Sequence, residues 1–308
     1  VTGEVLRVGT RGSALALAQS GAIAAAIAEK AGSGSELVRV KTEGDINTGP
    51  LAAIGGTGIF VTAVRAALAN GRVDVIVHSF KDLPTAPAPG LMLAAVPERE
   101  NPFDALCARD GLTLDTLPSG ARVGTGSPRR VAQLLRRRPD LRVEPVRGNV
   151  DTRLRLVSDG DLDAVVLAVA GLTRLDRTGA ISETFGPDVM LPAPAQGALA
   201  VECRAADLET AWYGPAVESL DCREARAAAV AERSLLATLE AGCIAPVGAH
   251  ATVADGTLTL RAAVIAVDGS SLVGGERSGS VDDASAIGRE LATELLSRGA
   301  ADLLGAAR

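Results

Sequence analysis

Short apolar strands alternate with alanine-rich helical segments along most of this chain, and that alternation restricts the fold to α/β layers around parallel sheets. Residues 4–8 read as a strand, Thr10-Arg11-Gly12-Ser13 as a turn, and Ser13 as the cap of a helix reaching about Ala31. A second strand is predicted over 37–40, a helix over 59–70 and a buried strand over 73–77. The loop from His78 to Thr85 leaves that last strand at its carboxyl end, where open α/β sheets bind ligands. Arg11, Lys81 and Asp82 fall in such positions.

A second unit of the same kind follows. Residues 122–124 form a strand, Ser127 is placed to cap a helix, and Pro128 takes its first position. Arg129 and Arg130 then occupy the first helical turn, where cations oppose the helix dipole; a bound anion would offset that cost. Strands are predicted over 142–146 and 163–169, the latter ending near Arg174, and either Asn149 or Asp151 opens the helix carrying Arg153 and Arg155. Residues 191–197 read as a linker, after which a strand over 198–203 is expected to return to the first sheet. From about Cys222 the pattern becomes α+β: a helix over 223–240, Cys243 in an Ala-Gly-Cys-Ile-Ala-Pro loop, three strands with Asp-Gly turns, and a final helix from about Asp283. The expected domains are 1–98 with 198–218, then 99–197, then 219–308.

With 47% hydrophobic residues and only 2% aromatics, the cores must be built from Ala, Val, Leu and Ile. Scarce aromatics and a net charge of -6 argue against nucleic-acid binding. No apolar run approaches the roughly 18 residues of a spanning helix, and no signal sequence is recognised at the start. The four cysteines are widely spaced and only two histidines exist, which argues against zinc and disulfide frameworks and favours a reduced, cytoplasmic protein.

The cations are 28 arginines and 3 lysines, so placement rather than presence carries meaning. Ten arginines against three acids fall between residues 122 and 155. Arg136 to Arg138 read as a solvated face. Arg129, Arg130, Arg147 and Arg153 sit at strand ends and helix starts, where guanidinium forks suit carboxylates. Asp82 is either a turn cap or a carboxylate that moves a proton. Cys243 is either a small buried apolar residue or an exposed reactive thiol. Gly55-Gly56-Thr57-Gly58 lacks the ending of an ATP-binding loop.

Taken in order, the segments 7–16, 77–85, 123–130, 147–154, 168–172, 196–204 and 240–248 resemble the porphobilinogen deaminase family nearly end to end. The resemblance implies two α/β lobes similar to a periplasmic binding protein, plus a C-terminal α+β domain. It also implies a cytoplasmic, monomeric enzyme that joins four porphobilinogen molecules with loss of ammonia, on a dipyrromethane cofactor held by a thioether. On the matching motifs Cys243 holds the cofactor and Asp82 is catalytic. Ser79, Lys81, Thr125, Ser127, Arg129, Arg130, Gly148 and Arg153 match cofactor-binding positions, and Arg11, Arg147, Arg174 and Gln196 match substrate-binding ones. Thr57 departs from the lysine of many members, and Ala53 lacks a charge that some carry. The alternative is a two-lobed solute receptor or sensor for carboxylates, which would need neither Cys243 nor Asp82.

Overall fold

The structure, a computed structural model, describes residues 3–41, 58–241 and 245–305. Its strands in chain order are β1 (Val5–Thr10), β2 (Gly34–Arg39), β3 (Val75–Ser79), β4 (Leu91–Ala95), β5 (Asp104–Ala108), β6 (Arg122–Gly124), β7 (Arg142–Glu144), β8 (Ala164–Ala168), β9 (Glu183–Thr184), β10 (Leu199–Arg204), β11 (Val247–Ala254), β12 (Thr257–Ile265) and β13 (Leu272–Ser280). The chain divides into two compact units, Val1–Arg99 with Ala198–Arg226, and Glu100–Gly197 with Ala227–Arg308.

The first unit holds a five-stranded sheet in the order β2-β1-β3-β10-β4. β1 runs parallel to β2 and β3, while β10 is antiparallel to both β3 and β4. The strand over 198–203 therefore does return to the first sheet. The Ala14–Ala31 helix starts where expected: Ser13 Oγ accepts the Ala16 N–H at 3.3 Å. Ile23, Ala24 and Ile27 of this helix pack on Leu6, Val8, Val75 and Val201 of the sheet. A second core joins Val64, Ala67 and Leu68 of the Gly58–Ala69 helix to Val73 and Ile76. β2 begins earlier than its apolar residues suggest, because its ladder with β1 starts at the Val5–Gly34 pair. It is an edge strand, so polar residues are tolerated there.

The second unit repeats the arrangement in the order β7-β6-β8-β5-β9. β6 is parallel to β7 and β8, and β5 is antiparallel to β8 and β9. The 163–169 strand stops at Ala168, and Val169–Arg174 is helical. The same unit carries an antiparallel sheet β11-β12-β13. Its core joins Leu258, Leu260 and Val264 to Ala231 and Leu235 of the Arg223–Thr238 helix and to Ile287 and Leu291 of the Ala284–Ser297 helix. Asp255 and Gly256 both have positive φ, 48° and 73°, as a two-residue hairpin turn of this type requires. The 191–197 segment is no exposed linker: Leu191, Ala195 and Gln196 are all buried. Among the described residues no helix is long and apolar enough to cross a membrane.

Candidate active site

In the first unit, the chemistry-bearing side chains leave the carboxyl ends of the neighbouring parallel strands β1 and β3. Asp82 ends the short 3-10 turn Phe80–Asp82, directly after β3. Phe80 and Leu83 are buried on either side of it, and the Phe80 N–H donates to Ala198 O at 3.0 Å. Two apolar anchors thus fix the turn while Asp82 stays exposed and Lys81 half-buried. Ser79, the last residue of β3, accepts a hydrogen bond from Gln19 Nε2 at 2.9 Å. The end of β1, where half-buried Arg11 emerges, is tied to the following helix: Thr10 Oγ1 donates to Ala16 O at 3.1 Å and accepts from Ser20 Oγ at 2.9 Å.

Behind this edge lies a buried carboxyl that sequence reading missed. Glu202 of β10 accepts hydrogen bonds from Arg65 Nε and Nη2 at 2.9 and 2.7 Å, and His78 Nε2 lies 3.2 Å away. Burial alone would raise the Glu202 carboxyl, but His78 and Arg65 outweigh it and hold it at about 2.

In the second unit the arginines converge on another buried carboxyl, Asp104 at the start of β5. Its Oδ1 accepts Arg130 Nε at 3.0 Å, Arg130 Nη2 at 2.7 Å and Gln196 Nε2 at 2.9 Å. Its Oδ2 lies 2.7 Å from Arg129 Nη1. Burial opposes ionisation of Asp104, yet Arg129 and Arg130 hold it well below the usual carboxylate range. Both arginines also donate to backbone carbonyls, Arg129 to Leu191 O at 2.6 Å and Arg130 to Val166 O at 2.8 Å. Asp104 therefore supplies part of the negative charge that two cations in a first helical turn require. It does not supply all of it. Burial lowers the pKa of Arg129, and Arg153 is lowered by burial and by its neighbour Arg130. Arg129 Nε has no hydrogen-bond partner among the described residues. Among the described residues, the Asp104 carboxylate thus faces Arg129 and Arg130 with Arg153 nearby, more guanidiniums than it can neutralise.

The other expected residues arrange themselves around this cluster. Thr125 is buried, and its Oγ1 accepts the Ser127 N–H at 3.3 Å. Ser127 holds the N-cap position of the Pro128–Arg137 helix, but its side chain makes no cap hydrogen bond. Asn149, rather than Asp151, caps the next helix by accepting the Thr152 N–H at 2.8 Å. Arg153 Nε donates to Gly148 O at 3.0 Å, and Gly148 has φ 101°, with a Cβ there lying 2.8 Å from Thr152 Cγ2. Arg147 is exposed, and Arg174 donates to Gly197 O at 2.7 Å. Gly197 has φ 87°, and a Cβ would meet Glu100 O at 2.2 Å, so only glycine fits beside buried Gln196. Arg138 corrects the reading of 136–138 as a solvated face. Its guanidinium donates to Leu114 O, Leu117 O and Asp140, at 2.6, 3.0 and 2.8 Å. Arg137 does stay 57% exposed. Cys243, Thr57 and Ala53 lie outside the described residues.

Gln19, Asp104, Glu202 and Glu232 were not singled out from the sequence. The one available signal was an acid opening or interrupting an apolar strand, as in Asp104-Ala-Leu-Cys and Val201-Glu202-Cys203.

Comparison with known proteins gives the family of the chain. Residues 6–211 match the family described as porphobilinogen deaminase, dipyromethane cofactor binding domain, and residues 227–297 match the porphobilinogen deaminase C-terminal domain. The porphobilinogen deaminase of Thermobifida fusca is 53% identical over 304 residues, covering 96% of this chain and 94% of that protein. That of Leifsonia xyli is 52% identical, covering 97% and 94%, and that of Mycobacterium avium 49%, covering 99% and 98%. Among solved structures, the periplasmic VFT2 domain of Bordetella pertussis BvgS matches 70% of this chain and 88% of its own, at 17% identity and a TM-score of 0.40. So slight an overlap adds nothing to the fold, which rests on the sheets themselves. By its matched domains and by relatives that run its full length, the chain belongs to the porphobilinogen deaminase family.

Proposed function

We propose that this protein is a hydroxymethylbilane synthase, a transferase that joins four porphobilinogen molecules head to tail with loss of ammonia and releases hydroxymethylbilane by hydrolysis. The observation that carries the reading is the buried arginine cluster, only partly neutralised by Asp104, inside a segment that matches the family's cofactor-binding domain. The full-length likeness to porphobilinogen deaminases favours this over a solute receptor.

The residues present suit a dipyrromethane. Each of its pyrroles bears an acetate and a propionate, and the donor set offered by Arg129, Arg130 and Arg153 is cationic, part-buried and in excess over its single carboxylate. When bound, the cofactor supplies the pyrrole carbon to which incoming units are joined. Cys243 is assigned as its thioether anchor. Two other thiols are poorly suited to that role, since burial pushes Cys107 up to about 12 and Cys203 up to about 11. Ser79, Lys81, Thr125, Ser127 and Gly148 complete the cofactor set, and Arg11, Arg147 and Arg174 take substrate carboxylates; Gln196, expected among them, serves the site through Asp104 instead, because its Nε2 already donates to Pro102 O and Asp104 Oδ1. Asp82 protonates the leaving amine of porphobilinogen and then stabilises the cation left on the substrate. Its exposed place on a pinned turn supports this role, because the group can meet substrate without the turn shifting. The proposal includes a monomeric enzyme of the cytoplasm and the three-domain division 1–98 with 198–218, 99–197 and 219–308. The test is to incubate the purified protein with porphobilinogen and measure both products. Four ammonia released per hydroxymethylbilane is expected; binding of porphobilinogen without ammonia release would overturn the reading in favour of a receptor.

A further inference from the structure

The turn that carries Gln196 is held in an unfavourable backbone conformation. Ala195 has φ 61°, in the left-handed region that a Cβ disfavours, and it is fully buried. A glycine would adopt this conformation freely. Here the conformation is fixed from outside, by Glu232 of the Arg223–Thr238 helix. Glu232 is itself fully buried, and its two oxygens accept two different backbone amides. Oε2 accepts the Ala195 N–H at 2.5 Å, and Oε1 accepts the Ala251 N–H of β11 at 2.7 Å. Two converging donors require an acceptor at both ends of the side chain. A carboxyl group provides that; a carboxamide would turn an NH2 towards one of the amides. The Gln196 N–H closes the turn on Ala193 O at 2.9 Å. The Gln196 side chain is then aimed so that Nε2 donates to Pro102 O at 2.7 Å and to Asp104 Oδ1 at 2.9 Å. That same Asp104 oxygen takes both hydrogen bonds from Arg130.

We infer that Glu232 is a positioning residue for the arginine cluster: it holds Ala195 left-handed, Ala195 aims Gln196, and Gln196 orients the carboxyl that sets Arg130 and Arg129. In this inference Glu232 reaches the cluster through the turn, while its other oxygen holds Ala251 of β11. The functional half of this inference rests on the reading of Arg129 and Arg130 as carboxylate-binding.

The experiment is Glu232→Gln made in two backgrounds, unaltered and Ala195→Gly. In the unaltered background, kcat/KM for porphobilinogen is expected to fall about tenfold or more, the scale of coupled neighbours. The fraction of purified protein carrying the mass of two pyrrole units is expected to fall with it. In the Ala195→Gly background the same substitution costs less than about threefold, because glycine needs no external hold on its φ. The lost bond to Ala251 lowers the unfolding midpoint in both backgrounds, so stability alone does not distinguish them, whereas the kinetic rescue does. An equal loss of kcat/KM in both backgrounds would overturn the inference, since Glu232 would then be acting on β11 or on the fold at large. Hydrogen exchange on the unaltered protein provides a second test should Glu232→Gln not fold. The Ala195 amide must exchange as slowly as amides of β11, and exchange at the rate of an exposed loop would refute the hold. If the unaltered protein shows neither pyrrole mass nor turnover, the reading of the site fails, and slow or fast exchange at Ala195 still decides the turn.

Discussion

The two five-stranded sheets follow one plan and differ in how each handles a buried carboxyl. In both, three parallel strands are followed by an antiparallel strand and an antiparallel edge: β2-β1-β3-β10-β4 in one, β7-β6-β8-β5-β9 in the other. In both, the inner antiparallel strand carries a buried acid, Glu202 on β10 and Asp104 on β5. Glu202 meets one permanent cation, Arg65, and a histidine. Asp104 meets two permanent cations, Arg129 and Arg130, with Arg153 close enough for Arg130 to disfavour its charge. The first unit is balanced and places its candidate chemistry outside the core, on the exposed Asp82 turn. The second sets two guanidiniums against the one carboxyl of Asp104, with Arg153 nearby. The two clusters differ in the number of guanidiniums around the central carboxyl.

That contrast can be broken most forcefully at Asp104. Asp104→Asn leaves two buried guanidiniums without their counter-charge, and a loss of about 3–5 kcal/mol of stability is expected in urea unfolding. A smaller loss there than for Glu202→Gln would refute the difference drawn between the units. Next comes Asp82→Asn, which should keep the unfolding midpoint and lower turnover at least about a hundredfold; near-normal turnover would move the proton-transfer role elsewhere. Glu202→Gln is expected to cost about 1–3 kcal/mol, since Arg65 and His78 lose a charged acceptor. The same group sharpens the comparison through pH. Its folded value of about 2 lies below its ordinary 4.5, so its contribution to stability is complete above about 4.5 and is lost as pH falls towards 2. Unfolding midpoints measured across that window should slope less in Glu202→Gln than in the unaltered protein. The smallest effects belong to the arginine run. Arg138→Ala should cost about 1–2 kcal/mol through its lost carbonyl and Asp140 bonds, with turnover unchanged. Arg137→Ala should stay within about 0.5 kcal/mol. Equal effects at the two positions would restore the reading of that run as a uniformly solvated face.

The sequence made local features legible and left the charge partners hidden. The Ser13-capped helix, the returning strand and the Asp255-Gly256 turn all follow from neighbouring residues. Three strands were missed: the two-residue β9, the edge strand β4, Leu-Met-Leu-Ala-Ala, and the inner strand β5, Asp-Ala-Leu-Cys-Ala, the last two with no β-branched or aromatic residue to mark them. Missing β5 meant missing Asp104, the acid that answers Arg130 from 26 residues away, and Arg129 beside it. Glu202 lies 137 residues from Arg65, and Glu232 lies 37 from Ala195, so no spacing rule connects them. Arg138 was misjudged for a related reason. It bonds the backbone carbonyls of Leu114 and Leu117, and carbonyls leave no trace in a charge pattern. The shared plan of the two sheets is likewise invisible as an internal repeat, because it resides in strand order and not in residue identity.

The most direct test of the account is the intact mass of the purified protein, followed by peptide mapping. The account predicts a mass above that of the sequence by two linked pyrrole units, with the addition mapping to Cys243 and absent from Cys107, Cys203 and Cys222. A fully active protein of unmodified sequence mass would contradict it.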